Sequence, residues 1–185
     1  EAYEDGFSTA QRWDCTTATA SPGATDVFAL HYRIEGQDLQ LFKKGTSSAE
    51  AYTLAFWVKS NKTGSQQINL FDNDNTRNVG ASFTISSANT WEKKVLNYPA
   101  DTTGVMGNDK NLSMIIVIPF HTGANYTGGS VPTSWEAFTN ANYGANNLSL
   151  ADNTANDFAI TGIQLEVGTY TASTLPPFQH ESYGD

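Results

Sequence analysis

Apolar residues recur at every second position in one strand-length run after another, and no run sustains a helical period beyond a single turn. The strongest case is Tyr52-Thr-Leu-Ala-Phe-Trp-Val-Lys-Ser60, where Tyr52, Leu54, Phe56 and Val58 share a face and Trp57 takes the other. A large aromatic on each face marks a central strand of a sandwich. Residues 27–34 place Phe28, Leu30, Tyr32 and Ile34 on one face, with Ala29, His31 and Arg33 opposite. Residues 66–72, 79–86 and 91–99 alternate too, and the last carries charge on one face and ends at Pro99, which suits an outer position. Residues 112–120 are almost continuously apolar, so both faces of that strand should be covered.

The C-terminal run Asp157-Phe-Ala-Ile-Thr-Gly-Ile-Gln-Leu-Glu-Val-Gly168 alternates through Phe158 and Ile160, breaks at Gly162, and resumes through Ile163, Leu165 and Val167. This is a strand with a bulge at the glycine. Gly168 and then Pro176 and Pro177 close it, and the extended tail after it should run along the body or a neighbouring subunit.

Shorter elements fill the rest. Residues 10–15 read as a short strand in an N-terminal arm, residues 1–26, whose abrupt polar start suggests a cut in a longer protein. Leu39 and Phe42 stand three apart with Gln37 and Asp38 as available caps, which predicts one helical turn. Residues 134–138 fit a second turn, and residues 148–150 a short strand. About eight to ten strands in hairpin succession, without βαβ alternation, give an all-β fold: an antiparallel two-sheet jelly-roll β-sandwich with a short helical turn and long loops, over residues 27–185.

Composition narrows the function. Charged residues are only 16 % and the formal net charge is -9, so the surface should repel phosphate backbones and anionic membranes, and nucleic acid is not an expected partner. The single cysteine, Cys15, forms no disulfide framework and no zinc site, and no run reaches the roughly 18 apolar residues of a membrane span. Asp72-Asn-Asp-Asn75 resembles the opening of a calcium loop, but Arg77 and Phe83 stand where the glycine and the bidentate glutamate belong, so a solvated hairpin turn is expected and no metal or cofactor. Glu50, Glu92, Glu136 and Glu166 form no recognisable catalytic pair, and His31, His121 and His180 show no ligand spacing. His31 reads as a hydrogen-bonded structural histidine.

Residues 121–147 form the longest irregular segment, holding Tyr126, Trp135, Phe138 and Tyr143 among asparagines and glycines. Long ordered loops often carry function. Aromatic faces beside amides suit sugar rings, whose C–H faces stack while their hydroxyls are hydrogen-bonded. The alternative is that these rings pack over the sandwich as a minor core.

Tyr32-Arg-Ile-Glu-Gly-Gln-Asp-Leu-Gln40, Leu54-Ala-Phe-Trp-Val-Lys-Ser60 with Lys62-Thr-Gly64, Asn89-Thr-Trp-Glu-Lys-Lys94, and Ile160-Thr-Gly-Ile-Gln-Leu-Glu-Val-Gly168 with Pro177-Phe178, His180 and Ser182-Tyr-Gly-Asp185 resemble a family of bacteriophage tail fibre and virion structural domains. The Leu-Glu-Val-Gly to Pro-Phe element is the most specific part. The family commonly has arginine after the tail histidine, where this chain has Glu181. The family in turn resembles carbohydrate-binding modules of the galactose-binding-like sandwich type. The resemblance implies an extracellular virion component that meets the host envelope, usually as a homotrimer joined to other fibre segments, and it does not identify the receptor. Together with the sandwich pattern and the aromatic loop it leads to the expectation of a domain that attaches to a bacterial surface glycan without catalysis. A polysaccharide depolymerase and a purely structural fibre connector are the alternatives.

Overall fold

The computed structural model describes residues 6–180. The start of the arm and the Ser182-Tyr-Gly-Asp185 motif, with Glu181 before it, lie partly or wholly outside these residues. Nine strands occur among them: β1 (Gln11–Asp14), β2 (Val27–Glu35), β3 (Tyr52–Ser60), β4 (Gly64–Asp72), β5 (Arg77–Ile85), β6 (Glu92–Tyr98), β7 (Leu112–Thr122), β8 (Glu136–Ala137) and β9 (Asp157–Val167). One sheet has the order β1-β9-β3-β6, the other β2-β7-β4-β5-β8. Apart from the two-residue β8, the antiparallel pairs nest: β4 with β5, β3 with β6, β2 with β7 and β1 with β9. A folded ribbon of nested pairs is a jelly roll, the architecture the strand pattern predicts.

The core lies between the sheets, where Tyr52, Leu54, Phe56 and Val58 of β3 meet Ile68, Leu70, Met114, Ile116 and Ile118. Strand β3 is flanked on both sides, and β7 is buried along all but its first residue, as their two-faced apolarity requires. The side chains of β2 are mostly exposed despite its apolar face, because it is an edge strand paired only with β7 among the described residues.

One local expectation is met and four change. The turn at 36–42 is a 3-10 helix (Gly36–Phe42) in which Leu39 and Phe42, three apart on a three-residue repeat, both face the core. Gln37 and Asp38 do not cap it: the N-cap is Glu35, with no side-chain cap bond. Residues 148–150 are not a strand, because the Leu148 N–H donates to the Gln66 side chain and Ser149 is left-handed (φ 50°), which leads into a 3-10 turn (Leu150–Asp152). Residues 134–138 contain no helical turn. Instead Glu136–Ala137 pairs with Arg77 and Asn78 as β8. His121 and Thr122 belong to β7 rather than to the loop after it.

The bulge in β9 is where the sequence places it. Ala55 faces Gln164 and Trp57 faces Thr161, so Gly162 and Ile163 together oppose Phe56, with Gly162 at φ +60°. The bulge restores Ile163, Leu165 and Val167 to the core side. It also leaves room above Gly162 for Phe7, which packs edge-on against Phe178 (centroids 4.7 Å apart), so arm and tail meet over β9. The tail crosses the outer face of the β1-β9-β3-β6 sheet: Tyr170 N–H donates to Thr53 Oγ1, and Gln164 Nε2 donates to the Pro176 carbonyl.

A Cβ on residue 162 would sit 2.5 Å from the Phe7 ring in a left-handed backbone. Gly162→Ala should therefore lower stability by about 1–3 kcal/mol in urea unfolding, and adding Phe7→Ala should recover only the contact part of that loss.

Candidate functional site

Much of the segment 123–147 folds onto the outer face of the β2-β7-β4-β5-β8 sheet, apart from Trp135 and from Glu136–Ala137, which joins the sheet as β8. The outward polar residues of β4 hold them there: Gln67 Nε2 donates to the Asn142 carbonyl, Asn69 Nδ2 to the Tyr143 carbonyl, and Asn146 Nδ2 to Ser65 and Ser82. On the same face the Gly80 N–H donates to the Pro132 carbonyl, where glycine gives the loop a close approach.

Three of the four aromatics expected to bind come together on this surface. Tyr143 lies 5.8 Å from Tyr126 and 6.1 Å from Phe138, both edge-on, and Phe138 stands edge-on to Phe71 of β4 at 5.3 Å. All three are half-buried. The Tyr143 hydroxyl shares a 3.1 Å hydrogen bond with Nε2 of His31 on β2. Burial, and then Arg33, hold His31 below its ordinary pKa, while burial, and then Tyr126, push Tyr143 up. The pair is thus a neutral imidazole against a neutral phenol.

Trp135 is elsewhere. It is 9 % exposed, its Nε1 donates to the Pro99 carbonyl at 2.9 Å, and its ring closes the end of the core beside Tyr52. Its other face meets Lys44, whose Nζ is 4.6 Å from the ring centroid.

Lys44 is the least expected feature of the molecule. Its ammonium, with a side chain 1 % exposed, is paired with Asp72, with Asp101 at 3.0 Å, and with the Gly104 carbonyl at 2.9 Å. Asn75 binds Asp72 from the other side, and Arg77 binds both Asp101 oxygens and the Trp135 carbonyl. Asp72 is therefore a buried ion-pair member and not part of a solvated turn. Burial alone would raise Asp101, but the Thr103 N–H, Arg77 and Lys44 outweigh it and hold its carboxyl below the usual range.

The other acids are dispersed. Glu50 pairs with Lys43, Glu92 with Lys94, Glu136 accepts from Asn142, and Glu166 accepts from Gln164. Cys15 is buried, its thiol 3.5 Å from the Thr17 carbonyl.

One cavity is not announced by the loop composition. Strand β1 pairs with β9 only as far as Gln11 opposite Ile160, so beyond that point the sheets gape between β2 and β9. The resulting cleft holds about 530 Å³, with Leu30 and Tyr32 on one side and Ile160 to Ile163 on the other. Its sequence signal was the apolar face of β2, which an edge position leaves partly uncovered: Tyr32 is 54 % exposed.

These features define a two-sheet jelly-roll domain with a half-exposed aromatic surface on one sheet and a cleft along one edge. Family models, curated proteins and solved structures yield no match to the chain, so its function must be argued from its own residues.

Trp135→Ala should cost about 3–5 kcal/mol of unfolding free energy, as for a buried aromatic in a core. Lys44→Met should cost about 3–5 kcal/mol at neutral pH by leaving the buried Asp72 without a cation and Asp101 with Arg77 alone. The pH dependence has a defined sign. Asp101 titrates below its unfolded value of about 3.9, so its contribution is present above that pH and is lost as pH falls through the lower folded value. The deficit of Lys44→Met should shrink over the same acid range, because part of what that variant loses is the Lys44–Asp101 ion pair, which needs the Asp101 carboxylate ionised. Thermal unfolding from pH 7 to pH 2 measures both effects.

Proposed function

We propose that this chain is the distal domain of a bacteriophage tail fibre, a non-enzymatic module that binds bacterial surface polysaccharide for host attachment and acts as a homotrimer. The observation that carries the reading is the surface of Tyr126, Phe138 and Tyr143, rings fixed edge to edge, with Tyr143 anchored by His31, beside the amide-bearing segment Asn140–Asn142. Rigid aromatic faces stack on the C–H faces of sugar rings at little entropic cost, and neighbouring amides answer the hydroxyls. The sequence resemblance to tail fibre domains supplies the setting. Three weak sites on one fibre would give useful avidity, because the second and third contacts are made at an effective concentration set by the fibre.

The connector reading has one observation in its favour. Asn69, Gln67 and Asn146 account for the fold of the loop without any ligand.

Tyr126→Ala with Phe138→Ala should abolish attachment of the purified domain to host cells while shifting its melting temperature by only a few degrees, since both side chains lie on the surface layer. Attachment at the wild-type level would remove these rings from the site. A wild-type domain that binds no cells at all would favour the connector. Sedimentation equilibrium should give three times the chain mass, and a monomer would overturn the trimer.

A further inference from the structure

We propose that the cleft between β2 and β9 is a saccharide-binding subsite for uncharged glycan, continuous with the Tyr126–Phe138–Tyr143 surface across the edge of β2. This rests on the polysaccharide-binding reading above and names a second place on the chain and a class of sugar.

The cleft has the size and mixed lining of a ligand site. About 530 Å³ of space lies over the apolar side chains Leu30, Ile160 and Ile163, with Tyr32 standing at the mouth and Gln11 and Thr161 on the opposite wall. Past Leu30 and Ile160 lies a smaller pocket of about 110 Å³ lined by Trp13, Phe28, Phe120 and Phe158, whose successive ring centroids lie 4.8 to 5.8 Å apart. Strand β2 adds a row of backbone groups, because alternate N–H and C=O groups on its outer side face no strand among the described residues. An apolar floor, an exposed phenol ring and a line of fixed donors and acceptors are the three things a pyranose needs.

An open edge also invites a polypeptide strand, but the geometry disfavours one. The β9 side is broken by the Gly162 bulge, where Thr161 Oγ1 is spent on the Thr9 carbonyl at 2.8 Å. Against β7 the extra residues, Phe120 and Ser113, lie on β7, so β2 itself runs unbroken. The bulge on the β9 rim blunts that side as a template for strand addition. A sugar, which needs no continuous ladder, is not excluded by it.

Charge selects the kind of sugar. The chain carries -9 overall, no lysine or arginine lines the cleft, and the nearby Arg12 is already shared between Asp14 at 2.7 Å and Asp157 at 3.5 Å. Inside the cleft, carboxylate or phosphate groups on a glycan would meet repulsion with no cation among the lining residues; Arg33, exposed beside His31, lies outside that lining. Continuity follows from β2 itself: His31 and Tyr32 are adjacent and point to opposite faces, one to Tyr143 and the other into the cleft, so one saccharide chain bending round the strand touches both.

The test uses the whole chain on an array of neutral and uronate-bearing bacterial oligosaccharides, followed by calorimetry with the strongest neutral binder. Tyr32→Ala, a change at an exposed ring, and Ile163→Trp, which fills the cleft, should each weaken neutral-glycan affinity about tenfold, with the Tyr32→Ala melting temperature unchanged. Wild-type affinity in both variants, together with loss in Tyr126→Ala, would overturn the cleft and leave the attachment reading standing. Preference for uronate-bearing chains overturns the neutral class. Concentration-dependent self-association that Tyr32→Ala abolishes would show the edge to be an interface between copies and refute the subsite. No binding to any glycan refutes the subsite along with the reading on which it rests.

Discussion

A protonated amine cannot be left alone in a protein interior, and the Lys44 ammonium organises one whole end of this sandwich for that reason. Its partners come from three separate parts of the chain: Asp72 ends β4, Asp101 and Gly104 lie between β6 and β7, and the Trp135 ring comes from the long loop after β7. Arg77 balances the second carboxylate and ties in the Trp135 carbonyl, so two cations face two anions. Gly104 is small because the ammonium fills the space where its Cβ would be, 2.5 Å away. The cluster thereby fixes the middle of the loop at Trp135, from which the chain passes through β8 to Phe138.

Both sheets wear irregular chain on their outer faces. The loop of residues 123–147 covers one through Gln67, Asn69 and Asn146, and the tail covers the other through Thr53, Asn97 and Gln164. That is why β3 and β7 are buried on both faces although the molecule has only two layers. Along the β1/β2 side neither covering reaches, since β1 is short and the arm only lines the rim at Thr9 and Ala10 before placing Phe7 over Gly162. The cleft is what remains of a core that the winding does not close.

Much of the fold could be read from alternation alone. The faces of β2 and β3, the covered run of β7 and the bulge at Gly162 depend on a two-residue period that only a pleated strand satisfies. The functional surface was legible to a lesser degree. Tyr126, Phe138 and Tyr143 do gather as their shared loop suggested, but Trp135, a few residues away, turns inward because its ring and indole N–H find Lys44 and the Pro99 carbonyl. Nothing local separates an inward from an outward loop tryptophan. Residues 148–150 misled for the same reason: their backbone groups bond to the side chains of Gln66 and Lys62 on another element, which no periodicity records.

The sequence by itself determined the two-sheet antiparallel sandwich, the position of the bulge and the acidic surface, because these follow from side-chain period, glycine's access to positive φ and the count of charges. Only the tertiary structure decided that Lys44 is internal, that one loop aromatic is core while three are surface, and that the sandwich stays open beside Tyr32. Those outcomes depend on contacts between residues tens of positions apart, such as Lys44 with Asp101 or His31 with Tyr143, whose energies exist only once the nested ribbon has brought them within a few ångströms.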